Sequence, residues 1–239
     1  MSSALRLNLA IAAAIVVLIG AFFLIKPAFR SKPIPNPFPT QSRAHLPFED
    51  FVKALAAIPD FERKVRAQST PTDATALGFE IAQNGLKRLN DAQLAKWMEL
   101  VVRMVEHLDE RTCAALSRAD PSAAKALTPK LLLAIDKMSS SDIRAYFDLT
   151  VKAVEAELNG TAPPEFSKQR AERALRTLVR KFTPEEQAVL VRVSLYPSTA
   201  SDASACWIVR TVFAEIMDLP TADRQILSRL FAQPPDARQ

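Results

Sequence analysis

The chain has 239 residues, with 31 Lys and Arg against 26 Asp and Glu, four glycines and two cysteines. Five of the basic residues, Arg6, Lys26, Arg30, Lys32 and Arg43, precede the first acid, Glu49. The remainder is electrically balanced, which argues against a fold that seeks nucleic acid. So few glycines leave nothing to build a phosphate-cradling loop, and Cys113 and Cys206 stand too far apart for a paired metal-ligand spacing.

After a short tail (1–6), residues 7–25 carry no charged side chain, Asn8 is their only strongly polar one, and Arg6 and Lys26 bracket them. As a helix the stretch would span roughly 28 Å, close to the hydrocarbon thickness of a bilayer. Pro27 then stops it. A secretory signal would have a shorter apolar core and a small-x-small cleavage site. Here Lys26-Pro27-Ala28-Phe29-Arg30 is a poor site, and a cut at Gly20-Ala21 would place Leu18 where a small residue is wanted. The expectation is an uncleaved signal-anchor over 7–26, meeting lipid through Leu7, Ile15, Leu18, Phe22 and Ile25.

Lys26, Arg30 and Lys32 outnumber Arg6 across that span, so the positive-inside rule puts the domain in the cytoplasm. The commonest arrangement for a bacterial inner-membrane anchor so near the start is the reverse. The two considerations nearly cancel, and the charge count gives a slight lean to the cytoplasmic side.

Residues 27–47 are proline-rich, with proline at every second position from Pro33 to Pro39. That pattern forbids helix and favours an extended, semi-rigid spacer. From residue 48 to 232 the abundance of Ala, Leu, Arg, Lys and Glu points to one all-α domain. Phe48, Phe51, Val52, Leu55 and Ile58 share a helical face, Pro59 interrupts, and a short helix carries Phe61 and Val65.

Thr-Pro occurs at Thr70-Pro71, Thr128-Pro129 and Thr183-Pro184, where threonine suits an N-cap and proline the first helical position. Each is followed by a second start signal, at Asn90-Asp91, Ser141-Asp142 and Ser201-Asp202, opening a longer helix. Residues 94–103 align without a gap on 143–152, pairing Trp97 with Tyr146, Met98 with Phe147 and Glu99 with Asp148. The helix over 203–217, with Trp207, Val212 and Glu215, matches loosely. The pattern predicts antiparallel helical hairpins repeated two or three times, as a small solenoid or a bundle. Coincidence between amphipathic helices is the rival explanation.

Asn159-Gly160 reads as a helix C-cap in preference to the glycosylation sequon completed by Thr161. A helix over 165–182 follows, burying Ala171, Leu175, Leu178 and Phe182. Its other surface carries Lys168, Arg170, Arg173, Arg176, Arg180 and Lys181 against only Glu165 and Glu172. That surface is either an ordinary solvated face or a contact for anionic lipid, an acidic partner or nucleic acid. Tyr196-Pro197-Ser198 breaks the chain, a last helix covers 223–231, and the polar tail 233–239 is expected to be disordered.

Chemistry is hard to find. His45 falls in the spacer, and His107 sits in a helix's last turn, complementing the dipole. Cys113 and Cys206 read as two buried hydrophobes, with pairing open to them only in an oxidising compartment. Asp109-Glu110 and Glu185-Glu186 lie at helix starts, and Trp97, Met98, Tyr146, Phe147 and Trp207 on apolar faces. No catalytic, cofactor-binding or metal-ligating residue is assigned, and nucleic acid is not expected. The sequence therefore implies a non-catalytic, membrane-anchored adaptor or assembly factor that binds a protein partner. An immunity-type inhibitor that neutralises a toxin or envelope enzyme is the alternative, and an enzyme with an unrecognised site comes third.

Overall fold

The computed structural model describes residues 36–68, 71–118 and 124–232. The expected membrane span, residues 27–35 of the spacer and the polar tail lie outside them. Among the described residues no helix is long and apolar enough to cross a membrane. These residues form eleven α-helices and no strand: α1 (His45–Ala56), α2 (Pro59–Arg66), α3 (Pro71–Leu86), α4 (Asp91–Glu106), α5 (Glu110–Arg118), α6 (Ala124–Asp136), α7 (Ser140–Leu158), α8 (Lys168–Val179), α9 (Pro184–Leu195), α10 (Asp202–Met217) and α11 (Thr221–Ala232). The all-α class is as expected.

The helices sort into two compact units. One holds α1, α2, α3, α6 and α7; the other holds α4, α5 and α8–α11. Their starts follow the local chemistry. Asn90 and Gln93 form a capping box on α4, and Thr183 and Glu186 form another on α9, with Pro184 at its first position. Ser201 caps α10 as anticipated. Two starts need correction. The cap of α7 is Ser139, whose hydroxyl accepts from the Asp142 backbone N–H, so the helix opens before Ser141. Thr128-Pro129 opens nothing, because Pro129 lies inside α6. A proline within a helix leaves one carbonyl a turn earlier without its N–H partner, and packing can tolerate that loss.

In the first unit α3 and α1 both lie against α7, and α2 touches α1 and α3. The α3–α7 crossing is close: a Cβ on Gly85 would stand 1.8 Å from the Ala153 carbonyl oxygen. Arg88, just past α3, binds Glu157 near the end of α7 (Nε–Oε2 2.5 Å) and also donates to the Thr161 carbonyl. That carbonyl belongs to the expected cap. Gly160 has φ 65°, its N–H donates to Glu157, and the Thr161 N–H donates to Ala156. This is the Schellman arrangement, and it accounts for the Asn-Gly-Thr triplet.

The carboxyl end of the proline-rich stretch belongs to this unit. Phe38 is buried and meets the Phe48 ring edge-on at 5.6 Å; Phe51 stacks on Phe147 at 4.9 Å. Phe38 donates its N–H to the Asn36 side chain, and the Asn36 amide donates to the His45 carbonyl. His45 is therefore the first residue of α1, with Nδ1 2.7 Å from the Phe38 carbonyl oxygen. The helix begins three residues before the expected Phe48.

In the second unit α5 lies against α10, while α4 and α8 lie against α11. Cys113 on α5 and Cys206 on α10 form a disulfide, with Cα atoms 5.0 Å apart. The reading of two separate buried thiols is thereby corrected. Arg118 reinforces the same contact, binding Asp202 (Nη2–Oδ1 2.6 Å) and the Ala200 carbonyl. Arg229 on α11 is 1% exposed and holds Asp91, the first residue of α4, at 2.6 Å. A buried guanidinium needs such a partner, because an unpaired one would bear the full desolvation cost.

The closest helix pairs are thus α3 with α7 and α5 with α10, instead of the chain neighbours that a run of hairpins would pair. The alignment of α4 with α7 nonetheless has a counterpart in burial. Leu94, Trp97, Met98, Leu100, Val101, Met104 and Val105 are buried, and so are their matches Ile143, Tyr146, Phe147, Leu149, Thr150, Ala153 and Val154. Both members of the aromatic pair, Trp97 and Tyr146, carry a polar atom into the core. Burial raises the Tyr146 hydroxyl pKa well above its ordinary value. The Trp97 indole N–H finds no acceptor.

An unmade buried hydrogen bond costs about 1–3 kcal/mol, which offsets the packing that the indole contributes. Trp97→Phe should therefore change stability by less than about 1 kcal/mol, whereas Trp97→Ala should lose about 3–5 kcal/mol. Urea unfolding followed by far-UV circular dichroism checks both. A loss for Trp97→Phe as large as for Trp97→Ala would mean the indole N–H is satisfied.

Candidate functional site

Three features of the second unit present chemistry at the surface. The first is the outer face of α8. Ser167 caps this helix, accepting from the Arg170 N–H, so α8 runs Lys168–Val179 and not over the expected 165–182. Glu165 falls in the preceding loop, and Glu172 is the one acid on the helix. Ala171, Ala174, Leu175 and Leu178 are buried, and Phe182 beyond the helix end is buried too. Gln187 on α9 donates to the Val179 and Phe182 carbonyls and so fixes how α8 ends.

With 3.6 residues per turn, Arg173, Arg176 and Arg180 fall on one face, roughly opposite the buried one, and Arg170 lies beside them. All four are exposed. Among the described residues no carboxylate reaches them at ion-pair distance; the Arg180 Nε donates instead to the Arg176 carbonyl. The six basic residues singled out in the sequence do not act as one set. Lys181 turns away to Glu215 on α10 (Nζ–Oε2 2.5 Å), and Lys168 stands at the amino end. Arg170, Arg173, Arg176 and Arg180 remain as the cationic face.

The second feature, which sequence reading missed, is a cleft of about 280 Å³ between α4 and α10. Val102, Val105, Val209 and Phe213 line its floor, and Glu106, Arg210 and the exposed Ala214 stand around it. Arg210 is held by donating to the Leu108 carbonyl. Valines one helical turn apart on α4 signal a buried face, but nothing in the sequence says that α10 leaves part of it open. The third is a shallower hollow of about 380 Å³ lined by Glu185, Glu186, Val189 and Trp207. There Trp207 meets Phe182 edge-on at 6.3 Å.

His107 is the C-cap of α4, close to its expected place in the last turn. Among the described residues no group of three or more His, Cys, Asp or Glu is arranged to hold a metal ion. Leu7, Ile15, Leu18, Phe22 and Ile25 lie outside the described residues. No protein-family model, curated protein or solved structure matches the chain.

Proposed function

We propose that this chain is a single-span inner-membrane protein whose helical domain binds another protein beside the bilayer, as an adaptor or assembly factor without catalysis of its own. The observation that carries the reading is the α4–α10 cleft. It has an apolar floor, a charged rim that can set the direction of a bound segment, and room for one or two anchoring side chains. Residues 7–25 supply the tether and the proline-rich segment the short spacer. The matched burial of α4 and α7 supports reading them as related copies of one long helix.

The disulfide bears on the side of the membrane. Cys113–Cys206 pairing is expected where thiols are oxidised, and this outweighs a positive-inside bias that rests on two or three side chains. We therefore place the helical domain on the exported, periplasmic face.

A photo-activatable phenylalanine analogue at Ala214 should capture one discrete partner in native membranes. Val105→Trp would disturb the core; the exposed Ala214→Trp fills the cleft from its rim, and should abolish capture from a second probe at Glu106 while leaving thermal unfolding unchanged. Capture from exposed positions elsewhere but not from the cleft would contradict the proposal. A captured toxin whose activity is lost on binding would replace the adaptor with an inhibitor.

A further inference from the structure

The arginines of α8 stand at i, i+3 and i+4 spacings from one another, as Arg170–Arg173, Arg173–Arg176 and Arg176–Arg180. Like charges at those spacings repel and destabilise a helix. An ordinary solvated face interleaves acids to relieve this, and here Gln169 and Thr177 fill the intervening positions, Glu172 is the one acid on the helix, and among the described residues no ion pair joins it to Arg176. Arginine in place of lysine matters as well, since its planar fork meets two phosphate oxygens at once. The chain from residue 45 onward is charge-balanced, so the cationic row is a local concentration of positive charge on the second unit.

We infer that the Arg170, Arg173, Arg176 and Arg180 face of α8 docks the helical domain onto anionic phospholipid headgroups of the bilayer that carries the chain. This rests on the anchored reading above. Charge complementarity selects an anionic surface. The sequence selects lipid over an acidic protein, because only nine residues separate Lys26 at the end of the apolar stretch from Asn36 at the start of the described fold. Fully extended they reach about 30 Å, so the point at which the described fold is attached, Asn36, stays within a few screening lengths of the headgroups. Phosphate contacts along the row cancel the repulsion within it, which makes the face more stable bound than free.

The full-length chain, with Trp97→Phe leaving Trp207 as the lone tryptophan, is reconstituted in phosphatidylcholine nanodiscs carrying a dansylated headgroup, with or without phosphatidylglycerol. Energy transfer from Trp207 should rise when phosphatidylglycerol is present. The rise should be lost at molar salt, and lost in Arg173→Gln/Arg176→Gln/Arg180→Gln, whose thermal unfolding should come no lower than the parent's. Equal transfer in both lipids, or transfer indifferent to the substitutions, overturns the inference. So does a result in which the same substitutions abolish capture of a native acidic protein while lipid composition has no effect. Alkaline extraction decides the anchor separately. A chain released by carbonate refutes the anchored reading, whereas a retained chain without lipid dependence refutes only the docking face.

Discussion

Gly85→Ala should cost the protein about 3 kcal/mol or more. A Cβ there would stand 1.8 Å from the Ala153 carbonyl oxygen. The obstacle is backbone in the middle of α7, so no rotamer change can clear it, and α3 must lift off the helix it packs on. Overpacking of a well-filled core costs typically about 1–3 kcal/mol, and a backbone collision belongs at the top of that range or beyond. Ala153→Gly should give no rescue, because it removes a side chain and leaves the carbonyl in place.

Gly160 supplies the internal comparison. Its φ is 65° and nothing lies within 4 Å of an added Cβ, so Gly160→Ala meets only the left-handed backbone penalty of about 1 kcal/mol. Gly160→Asn should be milder still. Urea unfolding by far-UV circular dichroism checks the series. Equal midpoints for Gly85→Ala and Gly160→Ala would show that the α3–α7 crossing is looser than described.

Breaking the Cys113–Cys206 bond has the second large effect. The two cysteines are 93 residues apart in sequence, and the chain between them leaves the second unit to build α6 and α7 of the first before it returns. Cross-linking over such a loop removes about 4–5 kcal/mol of conformational freedom from the unfolded chain on the chain-entropy account, against measured values of about 2–5 kcal/mol. Reductant, or Cys113→Ser with Cys206→Ser, should therefore lower the melting temperature by about 10 °C. Both tryptophans, Trp97 and Trp207, lie in the unit that holds the bond, so their fluorescence reports the affected transition directly. An unchanged melting temperature under reductant would mean that the bond is absent or that the unfolded chain is already restrained.

The sequence was most legible where one residue's chemistry decides the outcome. Asn90, Thr183 and Ser201 announce helix starts because a side-chain acceptor must meet the orphan N–H groups. Asn159-Gly160 announces a stop because only glycine enters the left-handed region freely. The buried face of α8 follows from its period alone. What stayed hidden depends on which helix meets which. Periodicity says that α3 buries a face but not that the face belongs to α7, so nothing in the sequence marks Gly85 as the point of closest approach.

The disulfide was left open, since neither spacing nor composition brings Cys113 to Cys206. Pro129 misled because Thr-Pro is a start signal only when the preceding residues are not already helical. The arginine face of α8 could be read in part. Its residues were evident, but the departure of Lys181 to Glu215 needed the position of α10. The α4–α10 cleft could not be foreseen, because a void is a property of two packed surfaces.

We propose that a tether in the membrane holds a disulfide-stapled helical body on its oxidising side. Acid-quenched cells, probed with a maleimide of high mass before and after reduction, test it in one step when the label is read in the carbonate-washed membrane pellet. The chain should be confined to that pellet, unshifted without reductant and shifted by two labels after it. A chain labelled twice without reduction, or recovered in the wash, would contradict it.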